Sequence, residues 1–122
     1  YQGKSVESYA PEFEELLKMA IELAGGVKSN VFVLSIPDYG YTPFGYDNQE
    51  QISIGIDAFN EVNKAISAKL GVQYFSITEI SRRGLDEPDL VAADGLHPSE
   101  KMYAEWVERI LTDLKMVHSK DE

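Results

Sequence analysis

One short segment of this chain combines residue types that can transfer a proton. Asp94 precedes His97 by three residues in the sequence Asp-Gly-Leu-His-Pro-Ser, which occupies residues 94–99. In a tight turn, an aspartate at this spacing can accept a hydrogen bond from the ring Nδ1–H of the histidine. Such a bond fixes the tautomer of the ring and leaves Nε2 free to take a proton from a nucleophile. The spacing therefore indicates His97 as a general base and Asp94 as its orienting carboxylate.

The same two residues have other interpretations. An aspartate ahead of a helix is often only the cap of that helix. His97, Asp94 and a distant carboxylate could also hold a metal ion, although no second histidine stands at ligand spacing. The remaining histidine, His118, lies in a polar C-terminal tail, and we expect no function for it. Spacing alone leaves the cap and the metal site open as alternatives.

Helices and strands alternate around this motif. Apolar residues at helical spacing predict helices over residues 5–24, over about 50–70 and from Pro98 onward. Runs of β-branched and apolar residues predict strands at 31–36 and 72–77, each buried on both faces of a parallel sheet. This order of elements predicts an α/β fold, a three-layer α/β/α sandwich.

The loops that follow the two predicted strands differ in composition: the first is aromatic and the second is polar. Residues 38–48 combine aromatic side chains with turn-forming glycine and proline, and residues 78–96 form a long polar loop whose charged residues, Arg82 and Arg83 among them, need only be solvated. Sites in doubly wound α/β proteins lie beyond the carboxyl ends of the strands, on the side where His97 is expected. Packing of the aromatic rings over helix ends is an equally good alternative to substrate binding. The candidate substrate-binding residues are Asp38, Tyr39, Tyr41 and Phe44.

Motif and element order together resemble the SGNH (GDSL-type) serine hydrolase superfamily. Its last block is an Asp-x-x-His-Pro pattern at the start of the final helix, which Asp94, His97 and Pro98 match. In that family the aspartate and histidine complete a triad with a serine from an N-terminal Gly-Asp-Ser motif, on a flavodoxin-like, five-stranded parallel sheet. The resemblance implies a small-molecule ester as substrate, His97 and Asp94 as catalytic residues, and neither a cofactor nor a metal.

The resemblance extends only to the second half of such a domain. Residues 31–43 are similar to the family's fourth strand and its exit loop, and 72–77 to its fifth strand. The Gly-Asp-Ser motif and the Gly-x-Asn block, which supply the nucleophile and oxyanion-hole donors, do not occur in residues 1–122. We therefore expect the chain to be the C-terminal half of one domain, inactive alone and prone to misfold or associate. The alternative is a non-catalytic, flavodoxin-like binding or receiver domain in which Asp94 merely caps the last helix.

Composition narrows the possible partners. The 122 residues leave room for one domain at most, and 43% apolar with 26% charged residues is ordinary for a globular protein. Eleven basic against 21 acidic residues give a net charge of −10, which disfavours nucleic acid and anionic lipid as partners. No apolar run is long enough to predict a membrane span. The chain has no cysteine, so thiol catalysis is excluded and the cellular compartment stays undetermined.

Overall fold

The computed structural model describes the backbone of residues 5–121 and side chains through residue 115. It is a helix-rich α/β structure that divides into two compact units, one comprising residues up to 35 with 57–75, the other 36–56 with those from 76 onward. The main elements, in chain order, are α1 (Val6–Leu23), β1 (Phe32–Leu34), α2 (Gln49–Leu70), β2 (Gln73–Phe75), α3 (Thr78–Ser81) and α4 (Glu100–Asp121). Short 3-10 turns lie at Lys28–Asn30, Tyr39–Tyr41, Tyr46–Asn48 and Pro88–Leu90.

Helix α1 has the ends that the sequence predicts. The Ser5 hydroxyl accepts a hydrogen bond from the Ser8 N–H at 3.1 Å, and the helix stops before Gly25, whose φ of 72° suits glycine. Its predicted buried face is only partly buried, because Leu17 is covered whereas Leu16 is exposed. Amphipathic spacing identifies the apolar face of a helix but not how much of that face is covered.

The two strands pair in parallel, as predicted, with Phe32 opposite Gln73 and Leu34 opposite Phe75. Both are shorter than the apolar runs that predict them. The predicted burial on both faces is wrong for β1, because Phe32 is exposed and Val33 and Leu34 are only half-buried. The Phe32 ring is covered on one side by an edge-to-face contact with Phe75, with 5.7 Å between ring centroids.

Helix α2 follows its predicted span closely. Ile56 and Phe59 are buried on its apolar face, and Gly71, at φ 73°, ends it. The buried Asn63 accepts a hydrogen bond from the Tyr9 hydroxyl at 2.7 Å. Partial burial raises the pKa of Tyr9, and the hydrogen bond to Asn63 opposes that rise.

In the second unit, the polar loop predicted over residues 78–96 is only partly correct, because regular structure and buried residues interrupt it. This segment contains helix α3 and the 3-10 turn Pro88–Leu90, and Ile80, Ser81 and Leu90 are buried. Polar side chains are buried here because they satisfy backbone groups: the Thr78 hydroxyl donates to the Ile36 carbonyl at 2.7 Å. Sequence polarity alone does not reveal such hydrogen bonds.

The charged residues of this segment are also not merely solvated. Arg83 donates to Glu87 at 2.6 Å and to Glu105 of α4 at 2.8 Å. Arg82 pairs with the buried carboxylate of Asp38 at 3.0 Å. These arginines connect the segment to its neighbours within the second unit.

Helix α4 begins at Glu100 and not, as predicted, at Pro98. Ser99 caps it, with its hydroxyl accepting the Met102 N–H at 3.3 Å. Pro98 instead forms an isolated antiparallel bridge with Val91. On the predicted apolar face, Met102 and Trp106 are buried, while Tyr103, Val107 and Leu111 are exposed. Within residues 5–121, no helix is long and apolar enough to cross a membrane.

Candidate active site

The predicted pair, Asp94 and His97, forms a compact turn. Asp94 Oδ1 accepts the backbone N–H groups of Leu96 and His97, each at 2.9 Å. Asp94 Oδ2 is hydrogen-bonded to His97 Nδ1. Gly95, at φ 74°, occupies the left-handed position that lets the chain reverse between them. The turn therefore contains the side-chain contact that the spacing predicts, while the catalytic roles of both residues remain predictions.

The histidine ring is accessible. The His97 side chain is 70% exposed and that of Asp94 is 49% exposed. Nε2 of His97 has no hydrogen-bond partner among the described residues. A ring held through Nδ1 with Nε2 open to solvent is the arrangement that a general base requires.

Local hydrogen bonds keep Asp94 ionised. The His97 N–H, the His97 ring and the Leu96 N–H, in decreasing order of effect, lower the pKa of Asp94 to about 2. The carboxylate is therefore negative at neutral pH and can stabilise a protonated His97 ring. Helix capping by Asp94 is excluded, because α4 begins only at Glu100 and is capped by Ser99.

An apolar cleft of about 50 Å³ lies beside the turn within the second unit. His97 lines it together with two of the predicted substrate-binding residues, Asp38 and Tyr39. The other two, Tyr41 and Phe44, do not line it, and the Phe44 ring is exposed. Substrate contact by these four residues stays a prediction.

Asp38 is the buried one of these four candidate residues, at 1% exposure. Its carboxylate accepts hydrogen bonds from Gly40, Ser53 and Arg82. Sequence reasoning misses Ser53 and Arg82, since both lie far from Asp38 in the chain. The sequence does indicate that Asp38 needs partners, because a carboxylate among apolar and aromatic residues can be buried only beside a cation or several hydrogen-bond donors.

No group of three or more His, Asp or Glu residues suited to a metal ion occurs among the described residues. The side chain of His118 lies outside them. In the described part of the chain, His97 and Asp94 thus form a pair that belongs to no larger group of metal-ligating residues.

The family of the chain follows from comparison with known proteins. The model of the GDSL-like Lipase/Acylhydrolase family matches residues 1–105, which include both strands and the Asp94–His97 turn. The chain belongs to this GDSL-like family. Membership indicates a hydrolase, with acylhydrolase activity on small-molecule esters in general. No curated protein and no solved structure shows significant similarity to the chain.

Proposed function

We propose that this GDSL-like chain contributes the general base and its orienting carboxylate to a Ser-His-Asp triad that hydrolyses acyl or acetyl esters. The observation that supports the proposal most is the hydrogen bond between His97 Nδ1 and Asp94 Oδ2, with Nε2 left open. Family membership supports the same class of reaction. Asp94 accepts hydrogen bonds from the His97 ring and from the backbone of the turn, whereas Ser99 caps α4.

In the proposed mechanism, His97 Nε2 takes the proton of a serine hydroxyl as the serine oxygen attacks the ester carbonyl. Asp94 stabilises the imidazolium that forms. Nε2 then gives the proton to the leaving alcohol oxygen as the ester C–O bond breaks, and an acyl-enzyme remains. Water, deprotonated by the same Nε2, attacks the acyl carbonyl, and the serine is regenerated as the acid leaves.

The proposed serine and the oxyanion-hole donors belong to a segment preceding Tyr1. Residues 1–122 would then be the C-terminal half of a single three-layer α/β/α domain with a flavodoxin-like parallel sheet. The parallel pairing of β1 with β2 supports this reading, because parallel sheets rarely consist of two strands alone. On this proposal the isolated chain binds no ester productively and has no hydrolase activity.

Hydrolysis of p-nitrophenyl esters by the complete polypeptide tests the triad. His97→Ala should abolish most turnover, and Asp94→Asn should lower kcat by about 10⁴-fold, because an amide N–H favours the wrong ring tautomer. Asp89→Asn is the matched control, since this exposed carboxylate pairs with Lys101 at 2.9 Å. It should leave kcat unchanged. A His97→Ala protein with near-normal turnover would remove His97 from the mechanism.

A further inference from the structure

A carboxylate that the triad does not use lies buried close to the His97 turn. Asp38 is 1% exposed, and its two oxygens share three donors. Oδ1 accepts the Gly40 N–H at 2.9 Å, whereas Oδ2 accepts the Ser53 hydroxyl at 2.5 Å and the Arg82 Nε–H at 3.0 Å. Removing one partner of such a buried pair is costly, because the other charged group is left buried and uncompensated.

Asp38 begins a segment, residues 38–45, that we call the strap. The Asp38 backbone N–H donates to the Ser81 hydroxyl at 2.8 Å, which attaches the strap to α3. Further along, the Thr42 hydroxyl donates to the Tyr39 carbonyl at 2.6 Å and accepts the Gly45 N–H at 3.1 Å. The strap is thus a hydrogen-bonded unit whose first residue is anchored to α2 through Ser53 and to Arg82.

The far end of the strap touches the candidate active site. The Phe44 N–H donates to the Gly95 carbonyl at 3.1 Å. Gly95 is the residue between Asp94 and Leu96, at the centre of the turn that holds His97. The same strap also contributes Tyr39 and Thr42 to the cleft beside His97. Movement of the strap would therefore reach the turn through this backbone hydrogen bond and through the shared lining of the cleft.

We infer that Asp38 is a positioning residue for His97, acting through the strap to hold the Asp94–His97 turn in its working conformation. The inference rests on the proposed function, because positioning matters only if His97 is the base. In this role Asp38 acts as an internal anchor of the strap. If Asp38 were purely structural, its substitution would only lower the stability of the whole unit. If Asp38 positions His97, its substitution also changes the turn in a unit that stays folded.

NMR of the complete protein tests the connection without using turnover. In Asp38→Asn, amide exchange of Phe44 should accelerate by at least about tenfold, and the His97 Nδ1–H resonance should broaden, while the Met102 amide exchanges as before. Glu87→Gln is the matched control, because it neutralises another arginine-paired carboxylate outside the strap. Ser53→Ala, which removes only one donor to Asp38, serves if Asp38→Asn does not fold.

Kinetics of the same variants complete the test. Asp38→Asn should lower kcat by about 10- to 100-fold with KM changed less than about twofold, because misplacing a catalytic group costs rate more than binding. Arg82→Lys, which keeps a cation beside Asp38, should retain more activity than Arg82→Ala. Unchanged Phe44 exchange and an unchanged His97 resonance in a folded Asp38→Asn protein would overturn the inference. If His97→Ala retains turnover while the NMR changes occur, the proposed function fails but the strap connection stands.

Discussion

The hydrogen bonds of the Asp94 side chain lie within four consecutive residues. The backbone N–H groups of Leu96 and His97 and the His97 ring all converge on one carboxylate. Such a local arrangement is encoded by the spacing of Asp, Gly and His, so the sequence predicts it well. Asp38 illustrates the opposite case, because its partners Ser53 and Arg82 come from distant parts of the chain.

The Asp94 carboxyl should titrate with an unusually low midpoint. Its hydrogen bonds hold the pKa of Asp94 at about 2, below the ordinary value of about 3.9. Because the folded-state pKa is depressed, the carboxylate's contribution to folding is complete above the ordinary value and is lost as pH falls through about 2. Carboxyl ¹³C NMR of the folded protein measures the midpoint, with the urea-unfolded protein as reference.

The His97→Ala variant refines this titration. It removes the ring but keeps the backbone N–H groups of residues 96 and 97, so the pKa of Asp94 should rise only part of the way toward its ordinary value. A midpoint in the folded wild-type protein equal to that of the unfolded protein would contradict the hydrogen bonds described for this turn.

At the scale of elements, the sequence predicts the positions of the long helices and of both strands. It does not predict how much of their apolar faces is buried. Periodicity identifies α1 and α2 closely because their ends carry Ser5, Gly25 and Gly71, residues with strong local preferences. The start of α4 is missed, because the bridge between Val91 and Pro98 is a tertiary contact. Burial of α3 is missed for the same reason: its polar residues satisfy backbone groups elsewhere in the chain.

Glycines in the strap test how tightly that element is packed. A Cβ at position 45 would lie 2.1 Å from the Tyr39 carbonyl oxygen, whereas one at Gly55, inside α2, would meet no atom within 4 Å. Gly45→Ala should therefore lower the free energy of unfolding, and Gly55→Ala should raise it by about 0.5–1 kcal/mol through helix propensity. Urea unfolding of both variants measures the difference. Equal effects of the two substitutions would mean that the strap is loosely packed.

The exposed ring of Phe44 should influence substrate choice and not the chemical step. Its side chain is 68% exposed, while its backbone N–H supports the His97 turn. Phe44→Ala keeps that N–H, so we expect a changed ranking of ester chain lengths with the His97 resonance unaltered. Rates of the complete protein on a series of acyl esters give the ranking. Identical rankings for the wild-type protein and Phe44→Ala would show that the Phe44 ring does not contact the substrate.

At the scale of the whole molecule, both units leave large apolar side chains exposed. In the first unit, such side chains lie in α1, in the turn after it and in β1. They are Leu16, Met19, Leu23, Val27 and Phe32. Exposed apolar surface of this kind marks either an interface or a tendency to associate. We therefore expect the 122-residue chain to self-associate.

Size-exclusion chromatography with light scattering measures this association. Leu23→Lys should lower the associated fraction, because Leu23 is 88% exposed and a cation near the end of α1 is also favourable for the helix. Glu22→Gln changes the net charge by the same amount without removing apolar surface, so it should have no such effect. A wild-type chain that stays monomeric and unfolds cooperatively would contradict the half-domain proposal.

His97 is proposed to activate a serine supplied by the segment preceding Tyr1, and covalent labelling tests this proposal most directly. A fluorophosphonate reacts with an activated serine, and mass spectrometry of the labelled complete polypeptide locates the modified residue. We expect one labelled serine, upstream of Tyr1, with labelling slowed by orders of magnitude in His97→Ala and unchanged in Asp89→Asn. A label that forms equally fast without the His97 ring, or that settles on a serine within residues 1–122, would contradict it.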